Sequence, residues 1–106
     1  MVQNKQAEII QEFKRRVKII LGDRLDRIIL FGSRTRGDAE EDSDFDFLVL
    51  VKSSADESKP SVRTIAQELS LRCDTVITAL VVALEDFRED RYFYLYENIQ
   101  NEGRVI

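Results

Sequence analysis

The sequence predicts an α/β domain in which helices cover a small sheet. A helical pattern of apolar residues comes first, two strongly apolar segments follow at residues 28–31 and 45–51, and a second helical pattern precedes a third apolar segment. Strands that are apolar on both faces are typical of sheets with helices packed against them. The order of the segments therefore favours one α/β (α+β) domain over residues 1–106.

The first helix is predicted over residues 4–21 and is expected to end at Gly22. Its apolar residues recur at the three-and-four spacing of an amphipathic helix; they are Ile9, Ile10, Phe13, Val17, Ile20 and Leu21. Strands are predicted at residues 28–31 and 45–51. Residues 52–59 are polar and are interpreted as a surface loop.

The second helix is predicted to begin at Pro60, because proline is favoured in the first turn of a helix. Its buried stripe is expected to contain Val62, Ile65, Ala66 and Leu69. Residues 73–84 are rich in β-branched side chains and predict a third strand. Residues 85–102 are expected to form a turn and a helix with Phe93, Tyr96 and Ile99 on one side, which Gly103 stops.

Composition limits the function classes. The chain has 106 residues, 43% of them hydrophobic and 34% charged, which is typical of a globular domain. Its apolar runs are far shorter than the ~20 residues that span a bilayer, and no signal peptide is evident. The single cysteine, Cys73, agrees with a reducing compartment. We therefore expect a cytoplasmic protein without a membrane contact.

The chain contains no histidine. This excludes Ser-His-Asp and Cys-His catalytic systems and a histidine-ligated zinc site. Catalysis would have to use carboxylates, Lys or Arg, hydroxyls and an oxygen-ligated metal, for which Mg²⁺ is the usual choice beside phosphates. The net charge of −4 argues against nonspecific binding of nucleic acid.

Asp44 and Asp46 stand at the start of the second predicted strand. Residues two apart on a strand point to the same face. Two carboxylates beside an apolar strand are costly to bury unless a cation or a donor accompanies them. The pair therefore suggests a metal site, although a polar strand start remains an alternative for Asp44.

The first predicted strand ends at Gly32-Ser33, and Arg34 and Arg36 follow. A glycine lets a phosphate approach the backbone, and the free N–H groups of a turn together with the Ser33 hydroxyl can bind it. Arginine is the common phosphate partner, although Gly-Ser is also a common turn. We interpret these four residues as a candidate triphosphate-binding segment.

A third carboxylate would complete a two-metal site. Asp74, at the start of the third predicted strand, is the candidate, because a neighbouring strand could direct it toward the pair. The alternative is a solvent-exposed aspartate that only begins the strand.

At these residues the sequence resembles the minimal nucleotidyltransferases of the DNA polymerase β superfamily. The resemblance is carried by Leu30-Phe31-Gly32-Ser33-Arg34-Thr35-Arg36-Gly37-Asp38, and then by Ser43-Asp44-Phe45-Asp46-Phe47-Leu48-Val49. These motifs cover about a quarter of the chain.

The resemblance implies a nucleotidyltransferase fold with a mixed sheet, and transfer of a nucleoside monophosphate from an NTP, with Mg²⁺ as cofactor. ATP is the expected donor, and a hydroxyl on an external protein or RNA is the expected acceptor. Gly32 and Ser33 would hold the triphosphate, Asp44 and Asp46 the metals, and Asp74 the third acidic position. Family members are often encoded beside a HEPN-domain toxin, which makes such a protein the expected partner.

Two alternatives remain open. The chain could be a catalytically idle antitoxin that neutralises a partner by contact, or a nucleotide sensor without turnover. Because 106 residues leave no room for the acceptor-binding domains of larger relatives, a partner or a second copy of the chain is expected to complete the site.

Overall fold

The computed structural model describes residues 5–31, 45–87 and 103–106. These contain helices α1 (Lys5–Leu21), α2 (Ala55–Cys73) and α3 (Leu84–Phe87), and strands β1 (Leu25–Phe31), β2 (Phe45–Val51), β3 (Ile77–Ala83) and β4 (Arg104–Val105). A 3₁₀ helix, Gly22–Arg24, joins α1 to β1. In the described ranges no helix combines the length and the apolar character that a membrane span needs.

The four strands form one mixed sheet with the order β3-β2-β1-β4. β1 runs antiparallel to both β2 and β4, whereas β2 and β3 are parallel. Parallel strands need a crossover connection, and α2 supplies it. The predicted α/β class with a small mixed sheet and packed helices is confirmed.

The two faces of the sheet carry separate apolar clusters. One face packs against α1 and α2 through side chains such as Phe13, Phe47 and Val62. The rings of Phe13 and Phe47 are stacked, with centroids 4.1 Å apart and planes 12° apart. The opposite face carries Ile29, Leu48, Leu50 and Val82, against which Phe87 of α3 packs. The side that packs against α1 and α2 is called the helical face, and the opposite side is called the second face.

The first helix and the second strand agree with the sequence prediction. α1 ends at Leu21, and Gly22 follows with a φ of +54°, a left-handed conformation that glycine adopts readily. β1 begins at Leu25, three residues before the predicted start. Polar residues at Asp26 and Arg27 had concealed this extension, because only the following residues are continuously apolar.

The predicted start of the second helix at Pro60 is wrong. α2 begins at Ala55, and Pro60 lies inside it. Asp56 and Glu57 occupy the first turn, where negative side chains favour the positive end of the helix dipole. Proline cannot donate an N–H, so the helix loses one backbone hydrogen bond near its start but still extends through this position.

The predicted third strand began too early. Cys73 is the last residue of α2, Asp74 follows in a left-handed conformation with φ 51°, and β3 spans Ile77–Ala83. The residues around the junction are compatible with both structures, and packing of Leu69 in the core extends the helix. β4, which the sequence did not predict, follows Gly103, while the helix predicted within 85–102 lies largely outside the described residues.

Two serines of α2 differ in their hydrogen bonding. The Ser58 hydroxyl is buried without a partner in the described structure. The Ser70 hydroxyl donates to the carbonyl of Ala66 at 2.7 Å and accepts a hydrogen bond from the N–H of Ile77 at 3.0 Å. Ser70 thus ties the end of the crossover helix to the first residue of β3.

These serines allow a matched test of stability. We expect Ser58→Ala to leave the free energy of unfolding unchanged or to raise it by up to about 1 kcal/mol, because it removes an unsatisfied buried hydroxyl. Ser70→Ala should lower it by about 1–2 kcal/mol, because the Ile77 N–H loses its acceptor. Urea unfolding of both variants measures the difference, and equal effects would contradict these assignments.

Candidate active site

Asp46 is the one charged residue among the seven of β2. Its neighbours Phe45 and Phe47 are buried on the helical face. Because side chains alternate along a strand, Asp46 points to the second face together with Leu48 and Leu50. Its side chain is half-buried, whereas the other six residues of β2 are buried. The direction of Asp46, away from the core beneath the helices, therefore follows from the burial of its neighbours.

Asp46 lies between two residues of the adjacent strands. Its Cα partner on β1 is Phe31, the last residue of that strand, and its Cα partner on β3 is Thr78. Opposed residues on neighbouring strands share a face. Phe31 is half-buried and packs on the apolar cluster of the second face, while Thr78 is exposed. A carboxylate is thus flanked by an aromatic ring and by a small, accessible hydroxyl.

The predicted phosphate-binding residues Gly32, Ser33, Arg34 and Arg36 lie outside the described residues, and so does Asp44. Covalent connectivity nevertheless links the first of them to the site, because Gly32 follows Phe31 directly and Phe31 is opposite Asp46. Asp44 is separated from Asp46 by a single residue. Their roles stay predictions.

Asp74 is not placed beside Asp46 in the described structure. It is exposed, caps the end of α2 and precedes β3 by three residues. It lines a surface cavity between α1 and α2 together with Glu8, Glu12 and Arg72. These residues belong to the helices that cover the helical face, whereas Asp46 points to the second face. The role of Asp74 as a third metal ligand stays a prediction that this placement does not favour.

One acidic residue of this cavity, Glu12, is paired with an arginine. The Arg15 side chain donates two hydrogen bonds to the Glu12 carboxylate, at 3.0 and 2.6 Å. These bonds lower the pKa of Glu12 from its ordinary value, and Glu12 in turn raises the pKa of Arg15. The pair lies at the surface and is interpreted as an ordinary ion pair of the helix, not as part of a metal site.

Thr78 is the residue near Asp46 that the sequence analysis missed. Its position follows from the parallel register of β2 and β3, in which Phe45 pairs with Ile77. The sequence contains no local signal for this register, which depends on the pairing of β3 with a distant strand. The predicted third strand therefore began several residues too early. Among the described residues, Thr78 occupies the position from which a third ligand on β3 would approach Asp46.

The donors present test whether a magnesium ion fits this site. Mg²⁺ is bound by one or two carboxylates together with substrate phosphates and water, so a single half-buried aspartate is a suitable contribution. Within residues 5–31, 45–87 and 103–106 no group of three or more His, Cys, Asp and Glu residues could hold a metal by itself. The described part of the chain therefore supplies one candidate ligand, Asp46, to a site that would also need Asp44 and the nucleotide.

The fold and this carboxylate define a domain of the nucleotidyltransferase class. The family model described as "Nucleotidyltransferase domain" matches residues 7–106. Because the match spans most of the chain, the protein belongs to this family and is a nucleotidyltransferase.

Two relatives from Methanocaldococcus jannaschii are named as protein adenylyltransferases. The chain is 47% identical to one of them over 75 residues, which are 70% of this chain and 76% of the relative. It is 34% identical to the other over 101 residues, which are 95% of this chain and 97% of that relative. The predicted class of enzyme is thereby confirmed.

Solved structures with the same fold include toxin–antitoxin complexes. One, crystallised with AMP-PNP, has a TM-score of 0.65 and 20% identity, and the match covers 97% of this chain and 72% of the other. Another is a tri-AMPylated Shewanella oneidensis HEPN toxin in complex with MNT antitoxin. It has a TM-score of 0.59 and 20% identity, and the match covers 95% and 70% of the two chains.

The two aspartates should differ in their effect on metal-dependent nucleotide binding. We expect Asp46→Asn to weaken the binding of ATP in the presence of Mg²⁺ by at least about tenfold, because even the indirect partners of metal ligands contribute about 10–100-fold. Asp74→Asn should leave it within about twofold, given its distance from that face of the sheet. Isothermal titration with and without Mg²⁺ measures both, and thermal unfolding controls for folding. A larger loss in Asp74→Asn would restore that residue as a ligand.

Proposed function

We propose that this protein transfers AMP from ATP to a hydroxyl on an external protein in a Mg²⁺-dependent reaction, and that a HEPN-type toxin is the acceptor. The names of the two relatives support a protein acceptor and adenylyl transfer. The complex of an AMPylated HEPN toxin with an antitoxin of the same fold supports the class of partner. AMP-PNP in another such complex supports ATP as the donor.

The observation that carries this proposal is the placement of Asp46. Asp46 is a half-buried carboxylate on the central strand, and a carboxylate in such a position needs a hydrogen-bond donor or a cation beside it. Asp46 lies at the end of the sheet where β1 leads directly into Gly32 and Ser33. The chain therefore enters the predicted nucleotide-binding segment directly after Phe31, the residue that pairs with Asp46.

In the proposed reaction the acceptor oxygen forms a bond to the α-phosphorus of ATP. The bond between that phosphorus and the bridging oxygen breaks, pyrophosphate leaves, and the hydroxyl proton passes to a carboxylate or to water. Bound Mg²⁺ would supply charge neutralisation for the triphosphate. Asp46, with Asp44, would hold the metal, and Gly32, Ser33, Arg34 and Arg36 would position the phosphates.

Transfer should depend on Asp46 and on the donor nucleotide. We expect label from α-labelled ATP to appear on a HEPN-type partner protein with Mg²⁺, and label from γ-labelled ATP not to appear. Asp46→Asn should reduce the rate by at least about a hundredfold, because it removes a ligand that would hold the Mg²⁺ whose charge stabilises the reacting phosphate. Asp56→Asn, an exposed change at the start of α2, is the matched control. Transfer by Asp46→Asn at the rate of the parent protein would show that Asp46 is not a catalytic metal ligand.

A second candidate function is neutralisation of the toxin by contact, without catalysis. The observation that favours it is that the related antitoxin forms a complex with its toxin. The same Asp46→Asn variant separates the two functions. If it retains neutralisation of the toxin while transfer is lost, binding is sufficient; if both are lost, neutralisation requires the chemistry.

A further inference from the structure

β3 is an edge strand of the sheet in the part of the chain that the structure describes. It pairs with β2 over its full length, and no described strand lies on its other side. The N–H of Phe45 donates to the carbonyl of Val76 at 2.9 Å, so the main chain of residue 76 points toward β2. Because main-chain groups alternate in direction along a strand, those of Ile77, Ala79 and Val81 point away from β2. The N–H of Ile77 donates to the Ser70 hydroxyl, so pairing with an added strand would use the outward N–H groups of Ala79 and Val81.

This edge lacks the features that usually prevent another strand from pairing. Proteins protect edge strands with lysine, proline, bulges or short strands. β3 has seven uncharged residues, no proline and an uninterrupted register with β2. The opposite edge differs, since β4 has only two described residues and one of them is Arg104. Among the described residues, an uncharged edge strand of this length therefore lies only on the side of the sheet that carries Thr78.

The edge runs past the candidate active site. Thr78 faces the same side of the sheet as Asp46 and is its direct neighbour on β3. A strand added beside β3 would lie about 10 Å from β2, which is two strand spacings. A hydroxyl at the end of a long side chain on that strand could cross the small, exposed Thr78 and reach the carboxylate. A serine hydroxyl, held close to its own backbone, would stop short.

We propose that the free edge of β3 docks an extended segment of the acceptor protein as an additional strand, with the acceptor side chain opposite Thr78. This inference rests on the proposed transfer to a protein. Main-chain hydrogen bonds to Ala79 and Val81 would hold the segment, as in other cases of β-augmentation. The docking surface thus supplies the acceptor half of the reaction.

Charge identifies the occupant as a basic, extended polypeptide and disfavours a second copy of this chain. Residues 74–86 carry three carboxylates, Asp74, Glu85 and Asp86, and the nearest cations in the sequence, Arg72 and Arg88, lie just outside this range. Antiparallel pairing of two β3 strands about Leu80 would bring the Asp74 end of one copy to the Glu85–Asp86 end of the other. Like charges in such positions repel, whereas lysine or arginine on both sides of an apolar acceptor segment would be attracted.

Amide hydrogen exchange tests the docking directly and needs no catalysis. The probe is a synthetic peptide of about ten residues, with alternating valine and threonine around one tyrosine and lysines at both ends. In the free protein the amides of Ala79 and Val81 should exchange fast, while those of Thr78, Leu80 and Val82, which face β2, and that of Ile77, which donates to Ser70, should exchange slowly. The peptide should protect the first group, and a version with glutamates at its ends should bind at least about tenfold more weakly.

Two pairs of variants extend the test to transfer. Ala79→Pro removes an outward N–H without breaking a bond to β2, and Ala79→Ser keeps that N–H. Leu80→Lys adds a cation to the edge, and Leu71→Lys makes the same change at an exposed leucine of α2. Ala79→Pro and Leu80→Lys should raise the KM for the peptide by about tenfold, the effect of about 1.4 kcal/mol, with the KM for ATP unchanged. The two controls should behave as the parent protein.

The outcomes are distinguishable. Protection of the Ala79 and Val81 amides in the free protein, protection that grows with protein concentration alone, or an unchanged peptide KM in Leu80→Lys would each overturn the docking proposal. Peptide-dependent protection without AMP transfer would support docking and reject the proposed function instead. Transfer that is normal in Leu80→Lys but lost in Asp46→Asn would support the function and reject the docking edge.

Discussion

The stacking of Phe13 on Phe47 is the contact on which the functional geometry depends. It joins the first helix to the central strand, and Phe45, 6.2 Å from Phe47 between ring centroids, extends the same aromatic layer. Because Phe45 and Phe47 both pack on the helical face, Asp46 between them must face the other side of the sheet. A shift of one residue in the register of β2 would bury the Asp46 carboxylate beneath α1 and expose the aromatic rings, which is costly in both respects. The packing of Phe45 and Phe47 against the helices therefore also determines the direction of the Asp46 carboxylate.

The crossover helix transmits this constraint to the next strand. α2 is anchored on the helical face by Val62, Ile65 and Leu69. At its end the Ser70 hydroxyl accepts the N–H of Ile77, so that the helix fixes where β3 begins. The register that follows places Thr78, and not Asp74, next to Asp46. A displacement of four residues thus moves an acidic side chain from the predicted site to the junction of α2 and β3.

The sequence predicts the centre of the fold better than its connections. β2 was predicted with its observed bounds because its apolar run is bounded by polar residues on both sides, and α1 because its apolar period ends at a glycine. The start of α2 and the start of β3 were wrong for a common reason: Asp56 and Cys73 stand where helix and non-helix are close in local preference, and tertiary packing decides. Thr78 could not be assigned to the site without the pairing of distant strands.

The free edge of β3 determines where an acceptor segment can bind beside the candidate active site. A seven-residue uncharged strand with outward main-chain groups is a liability in an isolated domain, and natural proteins commonly suppress such edges. Docking of an acceptor segment would give this edge a function, which a lysine or a proline within the strand would remove. The same argument explains why the exposed residue at this point is small. A long side chain at position 78 would lie across the path between an added strand and Asp46, so threonine keeps open the route that the acceptor hydroxyl would take.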